Sequence, residues 1–216
     1  MKDWIRWHRD YDSPNSWLAR RLEVVQRDLR SALGEAAAAE TGTLRVLSIC
    51  AGDGRDVLPV LAERDRWRGT RALLLELDPV LSQRARTTAV QLGLPGVDVR
   101  TVDAGATDTY QHVEPAHVVL ACGVFGNITI DHVRNTIAAL PAVLVPNGIV
   151  IWTRGRGDDG PDPSLEVRDC FTDHGFEQMS FTSPADARFR VGMHRLAARP
   201  GPLPSLKPAG RLFTFV

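Results

Sequence analysis

Apolar residues recur at three- and four-residue steps through the first forty positions, at Trp17, Leu18, Leu22, Val25, Leu29 and Leu33, which is the spacing of one helical face. Ser13-Pro14 has the form of a start for this helix, and Trp4, Trp7, His8 and Tyr11 fall on a shorter segment before it. From Leu44 the pattern changes. Short, nearly continuous apolar runs alternate with amphipathic ones: LRVLSIC then RDVLPVLAERD, RALLLEL then PVLSQRARTTAVQLG, VDVRTV, AHVVLAC then DHVRNTIAALPAVL, and GIVIWT. Strands apolar on both faces, separated by helices, predict a doubly wound, mostly parallel α/β sheet covered on both sides.

After Trp152 come a loop over Arg154 to Pro163, a short helix around Leu165 to His174, and two strand-like runs, FEQMSFT and RFRVGMHRLA. Their close spacing predicts an antiparallel pair at the end of the sheet. The stretch RPGPLPSLKPAG holds four prolines in twelve residues and reads as an extended arm ending in the apolar LFTFV. No internal repeat is visible.

A length of 216 residues suits one domain over 1–216, with a helical segment over 1–40, a sheet core over 44–197 and a Pro-rich arm over 198–216. The 26 basic and 26 acidic residues cancel, so charge gives no argument for a nucleic-acid or membrane partner. No run approaches the roughly 20 apolar residues of a membrane span, and MKDWIRWHRD carries charges where a secretion signal would be apolar, so a cytoplasmic protein is expected. Cys50, Cys122 and Cys170 are an odd number without metal-ligand spacing, which predicts free thiols and no metal site.

The chemistry is expected on the turn VLSICAGDGRD. In a doubly wound sheet ligands bind beyond the carboxyl ends of the strands, and glycines there let the backbone approach a ligand closely. The turn Cys50 to Gly54 sits at such an end, before a helix expected to begin near Arg55 with unpaired amides. A dinucleotide fingerprint would need a third glycine where Val57 stands. Glu76 and Asp78 end the next strand, 22 and 24 residues after Gly54, and either suits the hydroxyls of a ribose. Asp78 before Pro79 has the form of a helix cap. Glu76 lacks that role, and a carboxylate ending a buried run is costly unless something polar meets it, so Glu76 is the expected ribose residue.

Here the chain resembles the class I methyltransferases that use S-adenosylmethionine (SAM). Their first motif maps onto Ser48-Ile49-Cys50-Ala51-Gly52-Asp53-Gly54, their second-strand acid onto Glu76, and the residues after their third strand onto Asp103-Ala104. The likeness covers roughly residues 44 to 155 and the terminal strand pair, and extends to small actinobacterial members through the W-x-x-W-H start and the CGVFGNI segment. Two positions depart from the family: Ser48 stands in place of an acid and Cys50 in place of a glycine.

The resemblance implies a seven-stranded Rossmann-like sheet with a helical N-terminal lid. It implies that Cys50, Ala51, Gly52, Asp53, Gly54, Glu76, Leu77, Asp103, Ala104, Cys122 and Gly123 hold the cofactor, which leaves as S-adenosylhomocysteine (SAH). Asp103 would accept from the adenine amino group, or serve only as a turn aspartate, and Cys50 and Cys122 would be neighbours at the ends of the first and fourth strands. Since SAM already carries an activated methyl, the protein must hold a nucleophile in line and, where needed, remove its proton. His8, Tyr11 and Asn127 are the candidates for that work, and Phe125, Arg154 and Arg156 for holding the acceptor; Thr129 and Asp131 read more simply as helix caps. The segment ACGVFGNITIDH lacks the Asn/Asp-Pro-Pro-aromatic sequence of many enzymes acting on exocyclic or amide nitrogens. The expected acceptor is a small molecule, with a homodimer left open. Two alternatives stand beside this reading: an NAD(P)-dependent oxidoreductase and a non-catalytic SAM-binding protein.

Overall fold

The computed structural model describes residues 11, 13, 16–39, 42–157, 160–197 and 205–216. The first helix, α1, spans Trp17–Ala39. It starts later than the Ser13-Pro14 expectation, because Ser16 Oγ accepts the Ala19 N–H at 3.0 Å and caps it. Leu18, Val25, Leu29 and Leu33 are buried along it, whereas Trp17 is 43% exposed. Two charged residues, Arg21 and Asp28, are buried on the same helix.

The strands are β1 (Arg45–Ile49), β2 (Arg71–Glu76), β3 (Val97–Thr101), β4 (Ala116–Ala121), β5 (Leu144–Gly155), β6 (Phe176–Thr182) and β7 (Phe189–Leu196). They form one seven-stranded sheet in the order β3-β2-β1-β4-β5-β7-β6. Strands β1 to β5 pair in parallel, and β7 runs antiparallel to both β5 and β6. The winding reverses between β1 and β4, which opens a crevice at their carboxyl ends.

Period-two alternation divides the apolar runs between the two faces of the sheet. Val46, Val118, Leu120, Ile149 and Ile151 face one core with α1, α2 (Leu58–Ala62), α3 (Asp65–Arg68) and α4 (Pro79–Gln91). Leu47, Ile49, Val119, Ala121, Val150 and Trp152 face the other with α5 (Ile130–Ala139) and α6 (Ser164–Asp173). In this second core the Trp152 indole N–H donates to His194 Nδ1 at 3.0 Å, and Phe171 stacks on His194 at 4.4 Å.

One sequence reading changes here, and the place of the arm, open in the sequence, is decided. The helix after the first turn begins at Leu58, not near Arg55, because Gly52 and Gly54 hold positive φ angles of 59° and 77° and keep the chain turning. With five residues, α2 is too short to present the expected anion-binding amides. The arm docks on its own chain: Ala106 and Arg211 form an antiparallel bridge, the Leu212 N–H donates to Gly105 O at 2.8 Å, and Leu212 and Phe213 are buried.

Candidate active site

A cavity of about 580 Å³ opens at the carboxyl ends of β1, β2, β3 and β4. Its floor is the turn after β1. Cys50 there has φ 54°, a left-handed conformation that only glycine adopts without strain. The Ala51 N–H donates to Leu75 O at 2.9 Å and extends the β1–β2 ladder by one bond. Gly54 is fixed by space as well as by φ, since a Cβ there would lie 2.6 Å from Leu58 Cδ1.

Glu76 is 9% exposed at the end of β2. One carboxylate oxygen accepts the Gly52 N–H at 2.7 Å and the other accepts the Asp78 N–H at 2.8 Å. These amides meet the burial cost of the carboxylate, and each oxygen keeps a second acceptor site toward the cavity. Asp78 caps α4 as its sequence suggests, accepting from Val80 and Leu81. Beyond β3, Asp103 accepts the Gly105 N–H at 2.8 Å, which is the turn role, and its other oxygen lies 3.0 Å from Arg211.

The expected cofactor residues Cys50, Ala51, Gly52, Glu76, Leu77, Asp103, Ala104, Cys122 and Gly123 all line this cavity. Asp53 and Gly54 do not: Asp53 turns to Arg55, whose Nε donates to it at 2.8 Å, and Gly54 faces Leu58 and Leu74. Cys50 and Cys122 are free thiols. Burial pushes both well above the usual thiol range, with Glu76 and Asp103 adding to the effect at Cys50 and Asp56 at Cys122.

Tyr11 lines the cavity, and its hydroxyl accepts from Arg21; His8 lies outside the described residues. Arg55 lies over the Tyr11 ring, 4.6 Å from its centroid. Burial raises the Tyr11 pKa, and Asp56 and Cys122 add to the rise against the pull of Arg21. Tyr11 is therefore a protonated phenol near neutrality, suited to orienting a ligand and not to removing a proton.

The remaining candidates fall outside the cavity lining. Phe125 is fully buried in the second core against Trp152 and Phe171, where its ring fills space and cannot meet an acceptor. Arg154 donates to Phe125 O at 2.6 Å, and burial lowers its pKa. Asn127 braces the β4 loop by donating to Gly123 O at 2.6 Å, and the Arg156 N–H donates to Arg188 O at 2.7 Å. Thr129 caps α5 by accepting the His132 N–H, and Asp131 pairs with Arg134.

Sequence reasoning missed Arg21, Arg55 and Asp56 on one side of the cavity, and Arg211, Phe213, Thr214 and Phe215 on another. A signal existed for Arg21, which sits at helical spacing between Trp17 and Val25 on an otherwise apolar stripe. For the second group the signal was the apolar ending LFTFV after a Pro-rich stretch. Among the described residues, no group of His, Cys, Asp and Glu is placed to hold a metal ion, and no helix is long and apolar enough to cross a membrane.

Residues 15–166 match the family described as "Putative methyltransferase". No curated protein matches the sequence. Among solved structures, the fold is similar to an O-methyltransferase family protein from Burkholderia thailandensis, with TM-score 0.62 and 15% identity over 87% of this chain; the chain spans 58% of that protein. It is similar to magnesium protoporphyrin IX methyltransferase from Synechocystis with bound SAH, with TM-score 0.64 and 16% identity over 90% of this chain and 94% of that one. It is also similar to precorrin-6y C5,15-methyltransferase from Geobacter metallireducens, with TM-score 0.56 and 14% identity over 80% and 87% of the two chains.

Proposed function

Because the chain belongs to the methyltransferase family matched by residues 15–166, we propose that it transfers the methyl group of SAM to a small-molecule acceptor and releases SAH. The observation that carries this reading is the convergence of nine expected cofactor residues, from the ends of four strands, on one cavity. Its size lies within the roughly 300–1,000 Å³ of small-molecule sites. The Synechocystis neighbour, crystallised with SAH and separately with SAM, has the same fold.

The residues fit the cofactor in order. The Glu76 carboxylate, held by two backbone amides, takes the ribose hydroxyls with its remaining acceptor sites. Leu77, Asp103 and Ala104 would hold the base. The amino-acid end rests on the turn at Cys50 to Gly52 and on Gly123, whose N–H is tied to Thr153 Oγ1 at 2.8 Å. When bound, SAM supplies the methyl on a sulfonium and so needs no further activation. Tyr11, Arg21, Arg55 and Asp56 also line the cavity and are the groups placed to orient an acceptor there. Free cysteines fit a cytoplasmic setting.

Calorimetric titration with SAM, SAH and NAD tests the cofactor: both adenosyl compounds should bind and NAD should not. Binding of NAD alone would overturn the reading in favour of an oxidoreductase. Conversion of SAM to SAH with a panel of small acceptors then separates an enzyme from a non-catalytic SAM-binding protein.

A further inference from the structure

Between Gly210 and Val216 the chain forms a strap across the cavity. At one end the Leu212 N–H donates to Gly105 O at 2.8 Å, just after β3; at the other the Val216 N–H donates to Asn127 O at 3.0 Å, just after β4. In the order β3-β2-β1-β4 these strands stand three spacings apart, about 14 Å at about 4.8 Å each. The segment 212–216, with a bend at Leu212, joins the loops that follow these two strands. It lies flush on the loop after β3, where a Cβ on Gly105 would come within 2.3 Å of Phe213 O.

The strap places two groups at the end of the cavity where Asp103 stands. Arg211 Nη1 is 3.0 Å from the Asp103 carboxylate and donates to Phe213 O at 3.2 Å. Phe213 is 3% exposed, lines the cavity, and stacks on Phe215 with centroids 5.8 Å apart and planes at 21°. Asp103 is thus gripped from both sides, by its own turn and by the strap.

We propose that this strap is a binding element of the cofactor site: Arg211 positions the Asp103 carboxylate, and Phe215, stacked on the buried Phe213, forms the apolar wall against which the adenine ring lies. The proposal rests on the SAM reading given above. The strap, outside the matched span 15–166, then sets the affinity of a site whose other walls come from the sheet.

The test titrates SAH and adenosine into the full chain. Stacking of a base on an aromatic ring is worth about 5- to 150-fold in affinity, so Phe215→Ala, at a ring 36% exposed, should weaken both ligands on that scale. Arg211→Gln, at a side chain 49% exposed and so tolerant of change, should weaken both, and Arg211→Lys should recover part of the loss. If Arg211 acts through Asp103, the double variant Arg211→Gln/Asp103→Asn should bind no worse than the weaker single variant. Wild-type binding with all variants within twofold of it would overturn the strap proposal alone, as would a loss for SAH with none for adenosine. Failure of the wild type to bind either ligand would overturn the cofactor reading as well.

Discussion

The Glu76 carboxylate accepts the backbone N–H of Gly52 at 2.7 Å across 24 residues of sequence. The end of β2 therefore holds the turn at the end of β1 in shape, and one side chain serves both the fold and the proposed ribose site. The adjoining bond from Asp78 fixes the second oxygen, so the carboxylate has little freedom to rotate.

Glu76→Gln should consequently affect stability and binding together. Its amide nitrogen would face a backbone N–H, donor against donor, leaving that group unsatisfied at a cost of about 1–3 kcal/mol in urea unfolding. Affinity for SAH should fall on the order of 10- to 150-fold by calorimetry. Undiminished SAH binding in this variant would remove Glu76 from the ribose site.

Gly192 pairs with Trp152 across β5 and β7, and a Cβ on it would lie 2.4–2.6 Å from atoms of the indole ring. The tryptophan is fully buried and has no room to retreat. Gly192→Ala should destabilise by about 1–3 kcal/mol, seen as a lower urea midpoint with an unchanged slope. The double variant Gly192→Ala/Trp152→Leu should cost less than the sum of the two single changes, because the clash disappears with the ring.

His194 gives stability a dependence on pH. Its Nδ1 accepts from Trp152, which assigns the proton to Nε2, a buried atom with no hydrogen-bond partner among the described residues. Burial, with a contribution from Arg168, lowers its pKa from 6.5 to about 4. Between those values the unfolded chain binds a proton that the folded chain does not, so this contribution is full above about pH 6.5 and declines as pH falls toward 4. The loss from this group should approach about 3 kcal/mol below that range. Chemical denaturation across the range should show the slope in wild type and a shallower one in His194→Gln; equal slopes would exclude His194 as its source.

Much of the fold was legible because burial writes itself locally. Leu73, Leu74 and Leu75 had to form a strand enclosed on both faces, and Asp78-Pro79 and Thr129 marked helix starts through bonds to neighbours two or three residues away. Glu76 stood out as a carboxylate ending an apolar run, and the structure brings Gly52 and Asp78 to it. Phe125 was misread for the opposite reason. It lies just beyond the carboxyl end of β4, but the turn there and the packing of Trp152 and Phe171 set its ring in the core, and its carbonyl accepts from Arg154.

By itself, the sequence determined the alternation of buried strands and helices, the glycine turn after the first strand and the acidic residue after the second. These depend on period, φ and desolvation, which act within a few residues. Only the tertiary structure decided that Arg21 on α1, Asp56 beyond the turn, and Arg211 and Phe213 on the strap meet at one cavity. Such contacts join positions up to about two hundred residues apart, and what selects them is shape and charge complementarity between elements, which no local pattern records.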